Sequence, residues 1–420
     1  MFNLREKSLQ LHGLNKGKLG TEIKVEVKNS EDLSLAYSPG VAEPCMEIYN
    51  DEDKVFEYTM KGNMVAVITN GTAVLGLGNI GPKAALPVME GKCILFKSFA
   101  GIDGFPICLE TTDVNQLVET IKLLSPSFGG VNLEDIAAPQ CFEIEERLKK
   151  EMDIPVFHDD QHGTAIVTAA GLVNALKLVN KSMDQIKVVV NGAGAAGIAI
   201  VKLLLSFGVK DIIMCDTKGA IFKGRTSGMN GIKNEVASYT NCNNQEGQLQ
   251  DVIENTDVFI GVSKAGVLTK KMIESMNQDP IIFAMANPDP EIYPEVAKAA
   301  GARIVGTGRS DFPNQVNNVL AFPGIFRGAL EVRATTINEE MKIAAVHAIA
   351  SLISETELNE DNVIPNPFND QVAPAVAAAV AKAAIESGVA MKWVDPEHIR
   401  EKTFQQSLIG KKLEKSLTTN

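Results

Sequence analysis

Val188-Val189-Val190-Asn191-Gly192-Ala193-Gly194-Ala195-Ala196-Gly197 is a β-branched run that breaks into glycines and then into a helical pattern. The valines read as a strand and Ala195 onward as an amphipathic helix through residue 207. Gly192, Gly194 and Gly197 have the G-x-G-x-x-G spacing. In a strand–turn–helix setting they give a tight turn, close approach of backbone to a pyrophosphate, and close helix–strand packing. The helix N-terminus at Ala195 and Ala196 supplies free N–H groups and the positive end of a dipole. Ile212-Ile213-Met214-Cys215-Asp216 follows, which puts a carboxylate about 20 residues beyond the glycines, where it meets a ribose 2′-hydroxyl. That favours NAD over NADP. Lys218 and Lys223 follow closely and would reverse the preference if they turn toward the site.

Outward from this fingerprint the pattern alternates. Helix 164–179, strand 186–191, helix 195–207, strand 211–215, helix 246–253 and strands 257–261 and 280–284 predict a doubly wound, Rossmann-type parallel sheet in an α/β protein. Before it, strands at 63–70, 94–99, 105–109 and 154–157 and helices from Pro82 to Glu90, at 114–124 and at 143–152 predict a smaller α/β domain. After it, Thr336-x-x-Glu339 reads as a capping box opening a helix through Ile353, and an Ala-rich helix runs from Pro374 to Ile385. These C-terminal helices are expected to pack back on the first domain. The division expected is 1–163, 164–390 and a tail at 391–420. A second glycine set at Gly76, Gly78 and Gly81 follows only a short apolar run and meets Pro82 at once, so it is a poor nucleotide loop.

Composition narrows the class. A net charge of −12 and a pI of about 5.1 oppose phosphate neutralisation, so no nucleic-acid partner is expected. Six cysteines without a Cys-x-x-Cys pair form neither a zinc ribbon nor a disulfide framework, which fits a reducing compartment. The first residues carry charge early and do not read as a secretory signal. No run approaches the roughly 20 apolar residues of a membrane span. A cytoplasmic protein without a membrane partner is expected.

Two acidic pairs end apolar stretches: Glu134-Asp135 and Asp159-Asp160. Carboxylates converging from two loops suit Mg²⁺ or Mn²⁺, although acidic pairs also cap helices. His158 and His162 raise a zinc alternative that lacks a third soft ligand; as structural donors they need none. Lys92 interrupts an apolar sequence and is either a buried base or a helix-terminal lysine facing the dipole. Tyr37 stands before Ser38-Pro39-Gly40, one of only five tyrosines.

Taken together, the chain resembles a malic enzyme of the short, bacterial type. The resemblance runs from about Ser34 to Pro367 and rests on motifs in order: Ala36-Tyr37-Ser38-Pro39-Gly40-Val41-Ala42, Leu75-Gly76-Leu77-Gly78-Asn79-Ile80-Gly81, Pro87-Val88-Met89-Glu90-Gly91-Lys92, Asn132-Leu133-Glu134-Asp135-Ile136, Phe157 to Thr164, Gly192 to Gly197, Ala286-Asn287-Pro288 and Asn317-Asn318-Val319. It implies Tyr37 as general acid and Lys92 as general base. Glu134, Asp135 and Asp160 become ligands of Mg²⁺ or Mn²⁺, and Asn287 and Asn318 hold the substrate and the nicotinamide side. It implies L-malate as substrate, NAD or NADP as acceptor, and a homodimer with the N-terminal helices at its interface. Larger malic enzymes carry a substrate-carboxylate arginine where this chain has Ala73. Oxaloacetate decarboxylases and malolactic enzymes share the wider family and the same carboxylates. A dinucleotide sensor from another class would need no acid, base or metal.

Overall fold

The computed structural model describes residues 4–418. Two sheets carry the fold. The first has the order β2-β1-β3-β4, all parallel: β1 Met64–Thr69, β2 Asp103–Cys108, β3 Gly130–Leu133 and β4 Val156–His158. The second has the order β10-β9-β8-β5-β6-β7: β5 Lys187–Asn191, β6 Asp211–Asp216, β7 Gly219–Ala220, β8 Val258–Gly261, β9 Ile281–Ala284 and β10 Ile304–Thr307. Only the short β6–β7 pair is antiparallel. The order reverses at β5, with β8 on one side and β6 on the other. That switch point opens a crevice at the carboxyl ends of the strands.

Between the sheets runs the helix Asp159–Val179, with fourteen buried residues. It is long and apolar enough to cross a membrane, but 67% of its apolar stretch is buried inside the protein. Its neighbours on both sides explain why it needs apolar residues all round. It begins at Asp159, five residues before the helix predicted from periodicity, so the expected domain boundary at 163/164 falls inside it. The acidic pair forms its first turn, where carboxylates oppose the dipole favourably.

Residues 94–99 are not a strand. They continue the helix Pro82–Ala100, which has Pro82 at its first position. Met89, Cys93, Phe96 and Ala100 fall on one buried face at helical spacing, and that stripe overrides the local β-propensity of Ile94-Leu95-Phe96. Phe96 packs edge-on against Phe322 and Phe326, at centroid distances of 4.8 and 5.2 Å, and Phe326 meets Phe157 of β4 at 5.9 Å. These rings tie the helix Phe322–Glu331 to the first domain. The final helix, Pro396–Thr418, packs on the Pro82–Ala100 helix. Arg327 reaches both Gln406 and Asn63, each at 2.9 Å. The C-terminal helices do return to the first domain. The helix Glu339–Ala350 is capped by Asn338, whose side chain accepts from Met341 N, and the Thr336–Glu339 box does not form.

Candidate active site

Parallel strands deliver their carboxyl ends to one edge. β3 and β4 pair with Leu133 opposite His158, so Glu134-Asp135 and Asp159-Asp160 leave the sheet side by side. One ligand atom each from Glu134, Asp135 and Asp160 lies within 4.8 Å of the others, the spacing of a cation's ligand set. Asp135 has φ +54°, a left-handed conformation that Asp tolerates, and its N–H donates to Asp160 Oδ2 at 2.8 Å. The 70–73 loop laces this edge from the other side: Ala73 N donates to Asp135 O at 3.0 Å, and Thr72 Oγ1 accepts from Ala137 N at 3.0 Å.

Lys92 is 7% exposed, and its ammonium sits 2.6 Å from Asp159 Oδ2 and 2.9 Å from Glu134 Oε1. It also lies 4.3 Å from the Phe322 ring centroid, a cation–π contact. Burial disfavours the charged lysine, but Asp159, Glu134 and Asp160 together outweigh it and hold the pKa above the ordinary value. The carboxylates move the other way. Burial raises Asp159 to about 7 against the pull of Lys92, with Glu134 adding repulsion. Burial likewise raises Asp160 to about 6 and raises Glu134. Three carboxyl groups acting on one ammonium form a site short of positive charge. All-oxygen donors of this kind fit Mg²⁺ or Mn²⁺.

Asp159 is the site residue that the sequence reading passed over in favour of its neighbour. Its Oδ2 takes both Lys92 and the Asn318 amide, while Oδ1 has no partner among the described residues. A Cβ at position 163 would come 2.1 Å from Oδ1, so Gly163, one turn on, makes room for the carboxylate. That Asp–x3–Gly spacing was the available signal. The histidines do not support zinc. His162 Nε2 lies 2.9 Å from both Glu145 oxygens, and His158 Nδ1 is 3.9 Å from Asp160 Oδ2. Among the described residues only the oxygen trio has ligand spacing.

Asn287 stands beyond β9 at a cis peptide bond to Pro288. A Cβ at Gly76 would lie 3.1 Å from its carbonyl oxygen, so the Leu-Gly-Leu turn of the first domain touches it. Tyr37 is not gathered in. It caps the helix Ser30–Ala36, is 69% exposed, and its hydroxyl has no hydrogen-bond partner among the described residues.

The glycine loop has the shape a dinucleotide needs. A side chain at Gly192, with φ +130°, would run into Val262 O at 2.5 Å, and one at Gly197 into Gly192 O at 1.8 Å. A Cβ at Gly194, the N-cap of the helix Ala195–Ser206, would meet nothing within 4 Å, and no side chain caps that end. Space and free N–H groups therefore coincide where a pyrophosphate binds. Asp216 ends β6 but is already occupied. It accepts from Lys218 N at 2.8 Å, from Arg225 Nη1 at 2.9 Å and from Lys233 Nζ at 2.6 Å, with a second Arg225 contact through Nη2. Burial acts upward on its pKa, but Arg225 and Lys233 win and hold it at about 2. The cations at this carboxylate are thus Arg225 and Lys233. Lys218 serves it through its backbone.

Comparison with known proteins decides the family. Malic enzyme, N-terminal domain, matches residues 16–149, and malic enzyme, NAD binding domain, matches residues 161–385. The chain belongs to the malic enzyme family. It is 72% identical over 409 residues to the bifunctional malic/malolactic enzyme of Bacillus subtilis (strain 168), covering 97% of this chain and 100% of that protein. It is 56% identical over 392 residues to the NAD-dependent malic enzyme of Geobacillus stearothermophilus, covering 93% and 81%. The crystal structure of malic enzyme from Pyrococcus horikoshii aligns with a TM-score of 0.95 at 48% identity, over 99% of this chain and 98% of that one. The malic enzyme N-terminal domain thus holds Lys92 and Glu134-Asp135, and the NAD-binding domain holds the glycine loop. Asp159 and Asp160 lie between the two matched segments, at the start of the helix that joins the sheets.

Proposed function

We propose that this chain oxidises and decarboxylates L-malate to pyruvate and CO2, reducing a nicotinamide dinucleotide with the help of a divalent metal. The observation that carries this reading is Lys92 held between Asp159 and Glu134 beside three carboxylates at ligand spacing. A dinucleotide loop opens the neighbouring sheet. Glu134, Asp135 and Asp160 would hold Mg²⁺ or Mn²⁺. When bound, the ion supplies Lewis-acid polarisation of the C2 oxygen and offsets the carboxylates that keep Lys92 protonated. Neutral Lys92 takes the C2 hydroxyl proton as hydride leaves C2 for the nicotinamide. The C3–C4 bond then breaks, CO2 departs, and its electron pair leaves an enolate across C2 and C3. Tyr37 protonates C3 to give pyruvate. Asn318 holds Asp159 in place and, with Asn287, lines the substrate and nicotinamide side.

Arg225 and Lys233 support acceptance of NADP as well as NAD. Each oxygen of the Asp216 carboxylate already accepts two donors, which matches the capacity of a carboxylate. A ribose 2′-hydroxyl must therefore displace a donor, whereas a 2′-phosphate meets two cations. The two sheets support a substrate and metal unit over 1–163 and a dinucleotide unit over 164–390, followed by 391–420. A homodimer is part of the same reading.

The test is absorbance at 340 nm with L-malate and Mn²⁺, with pyruvate assayed in the same tube. Both are expected to rise together. The 72% identity to a malic/malolactic enzyme favours one second reading, in which pyruvate is reduced before release. Lactate without net reduced cofactor would establish that activity.

A further inference from the structure

Glu291 is wholly buried, and among the described residues no cation pairs with it. The other buried glutamates each face a lysine: Glu134 faces Lys92, and Glu145 faces Lys149. Glu291 faces only N–H and O–H donors. Its Oε1 accepts from Ser263 N at 2.9 Å and from Ser263 Oγ at 3.3 Å, and its Oε2 accepts from Ala286 N at 3.0 Å. A charge taken out of water needs such bonds, because no ion pair offsets its desolvation here. Space is reserved for it as well. A Cβ at Gly261, the last residue of β8, would come 2.4 Å from the Glu291 carboxyl carbon.

The donors come from two loops. Ser263 lies just beyond β8, and Ala286 just beyond β9. A third loop joins through Ser263, whose Oγ accepts from Asn191 Nδ2 at 2.9 Å. Asn191 ends β5 and precedes Gly192. β5, β8 and β9 are neighbours in the sheet, so one carboxylate ties together the loops at three adjacent carboxyl ends. These ends border the crevice at the switch point. Asp216 ends β6, on the other side of β5, where the ribose of the adenosine half binds, and the pyrophosphate lies at the glycine loop. The nicotinamide half therefore falls over β8 and β9, where Ser263 and Asn287 stand.

We propose that Glu291 is the positioning residue of the nicotinamide half-site. It fixes the β8 and β9 loops against the glycine loop and so sets where Asn287 meets the cofactor. Being wholly buried, it acts through these loops and not by contact. This rests on the reading of the crevice as the dinucleotide site.

The experiment is a titration with NADH, followed by the fluorescence of the dinucleotide, which reads the site without turnover. Glu291→Gln keeps the size of the side chain and replaces one acceptor oxygen by an amide donor. That amide must face Ser263 or Ala286, so one loop loses its bond. The dissociation constant for NADH is expected to rise about tenfold or more, the worth of one hydrogen bond to a charged group. Mn²⁺ binding by electron paramagnetic resonance is expected to hold, because the metal ligands belong to the other sheet. If Glu291→Gln does not fold, Ser263→Ala decides. It removes the Oγ links and keeps both backbone bonds, and is expected to weaken NADH about threefold to tenfold. A role in stability alone would lower the melting temperature and leave the affinity of the folded protein unchanged. Unchanged NADH affinity in either folded variant overturns the proposal. Wild-type protein run alongside separates the two readings. NADH binding without malate oxidation would count against the catalytic reading, while the effect of the substitution still decides the role of Glu291.

Discussion

The Lys92 ammonium lies 2.6 Å from Asp159 Oδ2, inside the protein and at the start of the helix that joins the two sheets. Asp159 is thus the group that orients the Lys92 side chain. Asp159→Asn keeps the shape and removes the charge. Turnover of malate should fall by about 10²–10⁴, the usual worth of a positioned proton-transfer group. Mn²⁺ binding followed by paramagnetic resonance should persist, because Asp159 is outside the ligand trio. Unchanged turnover would remove Asp159 from the mechanism.

Metal affinity should depend steeply on pH. Among the ligand trio, burial raises Glu134 and raises Asp160 to about 6. A raised pKa on a ligand carboxyl means protons compete with the cation up to that pH, so affinity grows as pH rises through about 6, the Asp160 value. Calorimetry should find Mn²⁺ binding weaker by about fourfold or more at pH 5.5 than at pH 7.5, with proton release that varies with buffer. A flat profile would contradict the raised values.

Cofactor choice should turn on Lys233. It is the more exposed of the two cations at Asp216, 18% against 6% for Arg225. Lys233→Met removes one charged donor to a 2′-phosphate, worth about 1.5–3 kcal/mol. The kcat/KM for NADP should drop about tenfold to a hundredfold. That for NAD should hold or rise, because Asp216 regains a free acceptor position. Equal losses with both cofactors would show that Lys233 only braces the loop.

His162 gives the fold a pH dependence separate from catalysis. Burial depresses its pKa to about 4, against the pull of Glu145. The neutral ring donates from Nε2 to Glu145, with Lys342 Nζ 3.4 Å from Nδ1. The unfolded chain takes up a proton near pH 6.5 and the folded one only near 4. Stability is therefore full above the unfolded value and lost as pH falls from about 6.5 to 4, by about 3 kcal/mol. Thermal denaturation across that range should show the slope, and His162→Gln should flatten it.

Some elements were legible because one rule governs them locally. The strand into Gly192, Gly194 and Gly197 needs glycine for backbone reasons that neighbours cannot change, and the loop forms as read. The strands read at 186–191, 211–215, 257–261 and 280–284 became β5, β6, β8 and β9, while β7 and β10, at the two edges of the sheet, had no such signal. Residues 94–99 were misread because a short apolar run suits a strand or a buried helix equally, and only the partners Phe322 and Phe326 choose. Asp216 was read as free for ribose because Arg225 and Lys233, 9 and 17 residues on, reach it only once the chain folds back.

By itself the sequence determined the two α/β units and the glycine loop, since glycine spacing and hydrophobic period are properties of neighbours along the chain. Tertiary structure alone decided that Asp159 grips Lys92, that its carboxylate neighbours raise the lysine's pKa, that two cations occupy Asp216, and that Tyr37 faces solvent. Those outcomes depend on distance and dielectric between residues far apart in sequence. Neither quantity exists until strands β3 and β4 set Glu134 and Asp159 side by side beneath the Pro82–Ala100 helix.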